Sequence, residues 1–512
     1  MFVSNIVREN EPQLVRKIYD KAKEYENVTD LTLGDPDIPT PQEIKDAANA
    51  ALENNRTKYT ANAGLVELRE AISKDVFRRT GIVYANDEIA VTAGAMGALY
   101  LSSAAILDPS DEMIILEPHW PNYTNMVKMC NAVPKYVNYL GDENIKNLTQ
   151  NIEKEITEKT KAIIINSPSN PTGILLSFES LVEIAGLAKK YNLWVVTDEV
   201  YHTIVFDGKF RSILEIPGMK ERTILIDSLS KRFSMTGFRV GFVCAPKEIA
   251  TAVATLQENV NSCACMFAQY ASVCALENSE ILEKSICETF RKRCTAMISV
   301  LKKSKTLVVP DAVSTFYLFI DITGTGLTSE EFAYKLLEEK HIAVVPGNAF
   351  NRAGEGYIRI ACTLSEIKLI EAAEQIVAFA DGQGSNNFYD GIAKLSLADI
   401  DGKKKGNMLS GKAMTYIAEH YRDTVTLSSV AQACEVSKEH LSRTFRKEVG
   451  LGFNQYLNLY RIKKADELLR ERPDLRIIDV ALCCGFGDSN YFSTIYKQVF
   501  GVSPKQEQKR KE

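Results

Sequence analysis

The stretch Ser228-Leu-Ser-Lys231-Arg-Phe-Ser-Met-Thr-Gly-Phe-Arg239-Val-Gly-Phe242 places a lysine after an apolar run, between a hydroxyl and a guanidinium. The amine of Lys231 can form a Schiff base with an aldehyde. Ser228, three residues before the lysine, and Arg239, eight residues after it, can bind a phosphate dianion. Pyridoxal 5′-phosphate carries both an aldehyde and a phosphate. The stretch therefore predicts an enzyme that holds this cofactor covalently on Lys231.

Apolar runs precede this lysine motif and are separated by helical patterns. They are Glu88-Ile-Ala-Val-Thr92, Met113-Ile-Ile-Leu-Glu117, Lys161-Ala-Ile-Ile-Ile-Asn166, Leu193-Trp-Val-Val-Thr-Asp198 and Thr223-Ile-Leu-Ile-Asp227. Runs that are apolar on both faces indicate a mostly parallel sheet covered by helices, which is an α/β fold. Each run ends in a polar or glycine-containing cluster, and we expect a ligand to lie along these carboxyl ends.

Polar and aromatic residues near the strand ends supply the other groups that a pyridoxal site needs. Asp198 could pair with the pyridine nitrogen and keep it protonated, so that the ring accepts electrons. Tyr201 and Asn170 could donate hydrogen bonds to the phenolic oxygen. The backbone of Gly94-Ala95-Met96 opens a helix and suits a phosphate. Trp120 could stack on the ring.

A smaller α+β pattern follows between residues 311 and 380, with Ser314–Asp321 as a strand and Ser329–Glu339 as a helix. Turn-forming and charged residues then dominate, which indicates a linker. We expect the following boundaries: an enzyme domain at 1–380 (large lobe about 40–280, small lobe about 1–39 and 281–380), a linker at 381–408 and a final domain at 409–508.

The last hundred residues lose the strand signal and contain a weak internal repeat. Val430-Ala-Gln-Ala-Cys-Glu435 recurs approximately as Val480-Ala-Leu-Cys-Cys-Gly485. A second helix follows each copy, with apolar residues four apart, at Leu441/Phe445 and Phe492/Tyr496. The repeat predicts an all-α domain of two helix-turn-helix units.

Composition limits the class of protein. The chain has 512 residues, 45% hydrophobic and 25% charged, which is typical of a soluble protein with two or three folding units. A secretory signal and a membrane-spanning stretch are not evident, so we expect a cytoplasmic protein without membrane partners. The eleven cysteines do not form paired Cys-x-x-Cys motifs, so we expect no metal site. Residues 402–512 carry 20 Lys and Arg against 13 Asp and Glu, a net charge of +7, whereas residues 1–401 carry −12.

Six motifs within residues 1–380 resemble those of class I/II aminotransferases of the aspartate aminotransferase fold. They are Gly34-Asp-Pro-Asp37, Tyr59-Thr-Ala-Asn-Ala-Gly-Leu65, Asn170-Pro-Thr-Gly173, Asp198-Glu-Val-Tyr201, the lysine motif and Gly356-Tyr-Ile-Arg359. The resemblance implies pyridoxal phosphate fold type I, with a large domain built on a mostly parallel sheet and a small α+β domain. It also implies transfer of an amino group between an L-amino acid and a 2-oxo acid, in a homodimer.

The same resemblance assigns roles to individual residues. It implies that Lys231 is the catalytic Schiff-base lysine and proton shuttle, and that Tyr59 reaches the phosphate of the neighbouring subunit. Arg359 would clamp the α-carboxylate of the substrate through a bidentate pair, beside Gly34 and Asn170.

The resemblance also bears on the substrate. Aspartate-specific relatives add a cation for the second carboxylate, and bacterial relatives commonly use a lysine where this chain has Met96. Another branch places its cation between Arg239 and Arg291, where this chain has no arginine. With Tyr123, these differences favour a less polar side-chain pocket, although a mobile arginine could still serve glutamate.

Residues 410–508 resemble the DNA-binding domain of AraC-type transcription regulators, in which two recognition helices enter successive major grooves of double-stranded DNA. The signature lies in Ala481-Leu-Cys-Cys-Gly-Phe-Gly-Asp-Ser-Asn-Tyr-Phe and continues to Pro504. In the first recognition helix a basic face is opposite the apolar pair. Candidate DNA contacts are Lys438, His440, Arg443, Arg446 and Lys447 in the first unit, and Asn490, Ser493 and Lys497 in the second.

Alternatives remain open at this point. The chain could be a working aminotransferase with an attached DNA-binding module, or a pyridoxal-phosphate-sensing regulator with little turnover. A lyase or decarboxylase on the same fold is a third possibility, because the sequence does not fix which Cα bond breaks. The helical domain could also bind protein instead of DNA.

Overall fold

The lysine motif ends one strand of a large sheet and begins the short helix that follows it. The structure is a computed structural model that describes residues 3–4, 8, 13–384, 409–449, 453–500 and 502–509. Its strands, in chain order, are β1 (Thr29–Asp30), β2 (Ile89–Ala93), β3 (Glu112–Glu117), β4 (Val133–Asn138), β5 (Thr160–Asn166), β6 (Trp194–Asp198), β7 (Thr223–Ser228), β8 (Val240–Cys244), β9 (Tyr317–Asp321), β10 (Ile342–Ala343), β11 (Val345–Pro346) and β12 (Tyr357–Ala361).

The α-helices of residues 13–384 are α1 (Leu14–Ala22), α2 (Gln42–Glu53), α3 (Val66–Thr80), α4 (Gly94–Ile106), α5 (Asn122–Met129), α6 (Asp142–Lys146), α7 (Leu148–Glu155), α8 (Phe178–Lys190), α9 (Leu229–Arg232), α10 (Lys247–Val260), α11 (Met266–Glu277), α12 (Ser279–Leu301), α13 (Ser329–Lys340) and α14 (Glu366–Gly384). The later helices are α15 (Leu409–His420), α16 (Leu427–Ala433), α17 (Lys438–Val449), α18 (Phe453–Glu471), α19 (Ile477–Cys483), α20 (Ser489–Phe500) and α21 (Pro504–Lys509).

Within the described residues, seven strands form the large sheet in the order β2-β8-β7-β6-β5-β3-β4. All neighbours are parallel except β8, which runs antiparallel to β2 and β7. The predicted mostly parallel sheet is confirmed, and the five predicted runs correspond to β2, β3, β5, β6 and β7. The prediction missed β4, an edge strand whose Pro134 and alternating polarity hide the signal, and β8, which begins at Val240 within the lysine motif.

Helices cover both faces of this sheet because successive side chains of each central strand enter opposite cores. Ile163 and Val195 belong to the core on one face, whereas Ile164 and Val196 belong to the core on the other. Full burial of each such side chain contributes about 1.5–3 kcal/mol. This two-sided burial explains why the strands are apolar throughout.

The small lobe has an antiparallel sheet in the order β11-β12-β9, covered by α12, α13 and α14. The predicted strand and helix of this lobe correspond to β9 and α13. Thr328 caps α13 and Glu331 completes its capping box. Strand β1 pairs in parallel with β10, so the amino-terminal segment packs on the small lobe.

Helix α14 continues to Gly384, so residues 381–384 are helical, although composition predicts the linker 381–408. Asp381 holds this end in place, because its carboxylate accepts hydrogen bonds from Ser304 Oγ, Lys305 N and Thr306 Oγ1. Residues 385–408, the rest of the predicted linker, lie outside the described residues.

The carboxy-terminal domain contains the two predicted helix-turn-helix units, α16–α17 and α19–α20, joined by α18. Each unit turns through a left-handed residue at the matching place in the repeat, Glu435 (φ 58°) and Gly485 (φ 84°). A Cβ at Gly485 would lie 2.3 Å from the Tyr421 carbonyl oxygen, which explains the glycine. The apolar pairs predicted for α17 and α20 are fully buried in one core.

Candidate active site

A cavity of about 270 Å³ lies at the carboxyl ends of β5, β6 and β7, between the large and small lobes. Its lining includes these predicted site residues: Gly34, Ala95, Met96, Trp120, Asn170, Asp198, Tyr201, Ser228, Lys231, Arg239 and Arg359. The chain therefore brings residues from position 34 to position 359 around one space.

Lys231 lies on the four-residue helix α9, directly after β7. Ser228 caps the amino terminus of this helix, because its Oγ accepts a hydrogen bond from the Ser230 N–H at 3.0 Å. The Lys231 Nζ donates a hydrogen bond to the Gly34 carbonyl oxygen. Burial lowers the pKa of the Lys231 amine to about 8; the nearby Asp35 carboxylate opposes this decrease, and the Arg239 and Arg359 guanidiniums add to it. A larger neutral fraction makes this amine a better nucleophile and base than an exposed lysine.

The residue after the lysine fixes α9 to the protein interior. Arg232 is fully buried and donates to both carboxylate oxygens of Asp75 at 2.9 Å, and it also pairs with Asp227 and Glu283. Burial raises the pKa of Asp75, but the Arg232 guanidinium outweighs burial and holds this pKa well below its usual range. This network restrains the backbone that carries Lys231.

One end of the cavity has groups that suit a phosphate. Arg239 has a left-handed backbone (φ 55°) and its Nη1 donates to the Thr236 carbonyl oxygen at 2.9 Å. Gly94 (φ 74°) begins α4, and a Cβ there would lie only 2.4 Å from Arg239 Nη2. The absence of a side chain lets the guanidinium lie against the start of α4, beside the backbone N–H groups of Ala95 and Met96. This cradle fits a phosphate dianion.

A buried carboxylate lies deeper in the cavity, at the end of β6. Asp198 Oδ2 accepts a hydrogen bond from the Tyr123 hydroxyl at 2.6 Å, and the Asn166 side chain donates to the Asp198 backbone carbonyl. Burial raises the pKa of Asp198 to about 6, although the hydrogen bond from Tyr123 lowers it. Trp120 meets the Tyr123 ring edge-on, with centroids 5.5 Å apart. A carboxylate beside a flat aromatic wall fits a pyridinium ring.

The small lobe contributes Arg359 from β12. Its Nη1 donates to Asn170 Oδ1 at 3.1 Å and its Nη2 donates to the Thr32 carbonyl oxygen, whereas its buried Nε lacks a partner among the described residues. The guanidinium also lies 4.4 Å from the centre of the Tyr317 ring. Two of the five N–H groups thus hold the side chain in place, and the remaining N–H groups suit a carboxylate ligand.

Two predicted residues do not line the cavity. Tyr59 is 84% exposed on the surface of the chain. Gly94 lies behind the cavity wall, where it admits Arg239. The Gly34 prediction gains a reason, because a Cβ at this position would lie 1.8 Å from the Tyr317 hydroxyl.

The sequence did not single out several lining residues: Val15, Thr32, Leu33, Asn166, Val200, Ser230, Thr236 and Tyr317. Asn166 ends a predicted strand, so the rule that ligands bind at strand ends could have identified it. Tyr317 lies in a strand and Val15 in an amphipathic helix. Both elements have sequences typical of core packing, so no sequence pattern indicates that these two residues face a ligand.

The predicted DNA contacts divide between the two units. On α17, Lys438, His440 and Arg443 are exposed. On α20, Lys497 is exposed, whereas Ser493 is half-buried and donates to the Ser489 carbonyl oxygen. The side chains of Arg446, Lys447 and Asn490 lie outside the described residues.

Known proteins resemble the two parts of the chain separately. Residues 26–376 match the family Aminotransferase class I and II, and residues 430–510 match the family Helix-turn-helix domain. An aspartate aminotransferase of Pyrococcus horikoshii is 36% identical over 372 residues, which cover 72% of this chain and 95% of that protein.

Solved structures of aminotransferases are also similar to this chain. The aromatic aminotransferase from Pyrococcus horikoshii has 36% identity and a TM-score of 0.68, covering 72% of this chain and 99% of its own. The aspartate aminotransferase from Thermus thermophilus with maleate has 32% identity and a TM-score of 0.69, covering 74% of this chain and 99% of its own.

The fold and the cavity define a pyridoxal-phosphate-dependent enzyme of the aspartate aminotransferase type. The chain belongs to the class I and II aminotransferases and carries a carboxy-terminal helix-turn-helix domain of the AraC type. The predicted family, enzyme class and cofactor are confirmed, and the alternatives, a regulator with little turnover or a lyase or decarboxylase on the same fold, are not favoured. Within the described parts of the chain, no helix is both long and apolar enough to cross a membrane.

Proposed function

We propose that the cavity around Lys231 transfers an amino group between an L-amino acid and a 2-oxo acid, and that the carboxy-terminal domain binds double-stranded DNA. The observation that carries the enzymatic proposal is the position of the Lys231 amine, with its lowered pKa, between the Arg239 cradle and the Arg359 guanidinium. A phosphate-binding end and a carboxylate-binding end on either side of one reactive amine fit a transaminase.

When bound, pyridoxal phosphate supplies an aldehyde for the lysine and a ring that accepts electrons. Arg239, Ser228 and the N–H groups of Ala95 and Met96 would hold the phosphate. Asp198 would hold a proton on the ring nitrogen, Asn170 and Tyr201 would bind the phenolic oxygen, and Trp120 would cover the ring.

The reaction then requires proton movement at the substrate Cα. Lys231 Nζ would be suited to take this proton and to deliver it to the former aldehyde carbon of the cofactor, since a neutral amine is a competent base near neutral pH. Arg359 would fix the α-carboxylate through Nε and one terminal nitrogen. Asn170, which already accepts from Arg359, would support this geometry, and Gly34 would contact the substrate through its backbone beside the Tyr317 hydroxyl.

The side-chain pocket favours amino acids with an uncharged side chain. Met96, Trp120, Tyr123 and Val15 face the cavity. Among the described lining residues the cations are Lys231, Arg239 and Arg359, and each has a role already, which leaves none for a second carboxylate. The names of relatives include both aspartate and aromatic aminotransferases, so the name of any one relative does not decide the substrate.

A homodimer completes the proposal. Tyr59 is a large aromatic residue that is 84% exposed, and its role in the resemblance is to reach the phosphate of a neighbouring subunit. Burial of this side chain at a subunit contact would remove the exposure.

A cytoplasmic location suits a protein with reduced cysteines that acts on DNA.

DNA binding rests on α17. Lys438, His440 and Arg443 are exposed on one recognition helix, in a segment with a net charge of +7. A helix-turn-helix unit with exposed cations on its second helix is suited to a major groove and its flanking phosphates.

The enzymatic test uses the purified holoenzyme. We expect an absorption band of the covalently attached cofactor that Lys231→Ala abolishes, and formation of a 2-oxo acid from single amino acids with a 2-oxo acid acceptor. Exposed Lys247 provides the matched control Lys247→Ala. A cofactor band without product from any amino acid would contradict transamination. For DNA, duplexes selected by the full-length protein from a random library should lose affinity with Lys438→Ala.

A further inference from the structure

The second helix-turn-helix unit meets the aminotransferase domain through the first turn of α20. Asn138 Nδ2, at the end of β4, donates a hydrogen bond to Asp488 Oδ2 at 3.1 Å. Asp488 also caps the amino terminus of α20, since its Oδ1 accepts a hydrogen bond from the Tyr491 N–H at 2.8 Å. The Tyr491 ring lies over Gly356, where an added Cβ would come within 3.3 Å of a ring carbon. The contact therefore includes both lobes, because Asn138 belongs to the large lobe and Gly356 to the small lobe.

The first turn of α20 is also the part of the unit that would read DNA. In helix-turn-helix proteins the second helix lies in the major groove and its amino-terminal residues contact the base edges. In this unit those residues are 488–491. A turn that is packed against Asn138 and Gly356 cannot enter a groove at the same time.

The first unit is in the opposite situation. Its recognition helix α17 exposes Lys438, His440 and Arg443 to solvent. One recognition helix is therefore accessible to DNA, whereas the first turn of the other packs against the enzyme domain.

The contact lies beside a wide gap between the two domains. This gap is a cavity of about 550 Å³ lined by residues of both domains. Glu117, Arg352 and Tyr357 line it on the enzyme side, and Arg422 and Arg461 line it on the other side. Among the described residues, the buried core of the carboxy-terminal domain lies within residues 413–499 and is separate from the cores of the enzyme domain. Because the two domains do not share one core, contacts of this kind permit domain movement.

Electrostatics also limit the contact. Burial raises the pKa of Asp321, and the Asp488 carboxylate adds to this rise across the domain boundary. Glu355 lines the same space. Asp488 thus approaches an acidic surface, where the Asn138 amide donates a hydrogen bond to it.

We infer that the first turn of α20 is an interaction surface with two mutually exclusive partners, the aminotransferase domain of the same chain and a major groove of duplex DNA. The docked chain offers its first unit alone, and binding to two successive grooves requires α20 to leave Asn138 and Gly356. The inference rests on the proposed DNA-binding function. The apparent affinity for a duplex with both half-sites is reduced by the fraction of chains that are undocked.

Substitutions at Asn138 test this, because the residue lies on the enzyme surface and outside any DNA-contacting helix. Asn138→Asp replaces the donor by a carboxylate facing Asp488, which weakens docking and should tighten DNA binding by up to about tenfold. Asn138→Lys gives Asp488 a cation and should weaken DNA binding by a similar factor. Asn259 is exposed at the end of α10, so Asn259→Asp and Asn259→Lys control for the change in net charge.

The probe is a duplex that the full-length holoenzyme enriches from a random-sequence library, and binding is measured at one fixed salt concentration. Opposite shifts for the two Asn138 variants, with none for the Asn259 pair, support the inference. Equal affinities for wild type, Asn138→Asp and Asn138→Lys overturn it.

Hydrogen exchange of the wild-type protein gives a readout that does not depend on a variant. Saturating duplex should increase exchange in the enzyme segments around Asn138 and Gly356, because α20 leaves them. Binding of the duplex without this increase overturns the inference but not DNA binding itself. A protein that enriches no duplex, as wild type or as Asn138→Asp, overturns the DNA-binding proposal and this inference with it.

Discussion

The active-site cavity and the first recognition helix use cationic side chains in opposite ways. In the cavity, Arg359 is 3% exposed and held by Asn170, Thr32 and Tyr317. On α17, Lys438 and Arg443 extend into solvent. Burial of the cavity arginine costs desolvation energy but fixes the guanidinium in one position for one ligand. The exposed cations of α17 need no fixed position, because a phosphate backbone attracts any nearby cation. Substitutions should therefore have large, specific effects in the cavity and small, additive effects on the helix.

The largest expected difference comes from Lys231. Lys231→Ala removes the base and the covalent attachment, so kcat should fall by about 10⁴-fold. DNA affinity should not change, because the folded domains remain. Formation of the 2-oxo acid and binding of the selected duplex measure the two quantities. A parallel loss of DNA binding would show that the two regions are not independent.

A substitution at Arg232 should lower the stability of the aminotransferase domain and leave that of the carboxy-terminal domain unchanged. Arg232→Met leaves Asp75 and Asp227 buried without this partner and should reduce the free energy of unfolding of the aminotransferase domain by about 3–5 kcal/mol. Thermal unfolding should show the shift in one transition and leave the transition of the carboxy-terminal domain in place. Arg78→Met is the matched control, because Arg78 bonds the same Asp75 but is 41% exposed.

The pH dependence of this variant follows from Asp75. In the wild type Arg232 holds the pKa of Asp75 below its usual range, so the stability it contributes is present above the unfolded pKa and is lost as pH falls through the folded value. In Arg232→Met the carboxyl protonates more readily. The destabilisation should therefore be largest near neutral pH and shrink as pH falls toward about 4. Chemical unfolding across this range checks the sign.

Arg359→Lys should reduce kcat/KM by about 100-fold for both the amino acid and the 2-oxo acid, since a lysine cannot form the bidentate pair. The cofactor band should remain. Arg291 is an exposed arginine paired with Glu288, and Arg291→Lys should leave kcat/KM unchanged. A loss confined to one of the two substrates would move the carboxylate contact elsewhere.

The lowered pKa of Lys231 predicts a smaller effect, on the rate at which the apo protein binds its cofactor. The apo protein should load cofactor about fivefold faster at pH 8 than at pH 7, because the pKa of about 8 makes the neutral amine fraction rise over this interval. The rate should level off at higher pH. A rate that still rises tenfold per pH unit above pH 9 would indicate an ordinary lysine pKa of about 10.4.

The smallest effect is expected on α17. Arg443→Ala should weaken duplex binding a few-fold and reduce the slope of log affinity against log salt by about 0.9, as for one lost phosphate contact. Turnover should be unchanged. Arg472 is exposed and paired with Asp474, and Arg472→Ala serves as the control.

The sequence predicts this molecule best where chemistry demands a particular residue type. The lysine motif, the strand-end carboxylate Asp198 and the helix-opening Gly94 each follow from a local physical requirement. Tyr317 and Thr32 escaped prediction because they enter the site through tertiary packing against Arg359 and Gly34. The covered end of α20 escaped for the same reason, since the local sequence of a helix does not specify what it packs against.

The span of the cavity has a consequence for synthesis of the chain. Its lining runs from Val15 to Arg359, so the site is complete only when almost all of the first domain has left the ribosome. The core of the final domain lies within residues 413–499 and forms from local helix contacts, which fold quickly. The helix-turn-helix domain follows the aminotransferase domain along the chain. A chain cut short between the two domains would therefore keep every residue that lines the cavity and lack the helix-turn-helix domain.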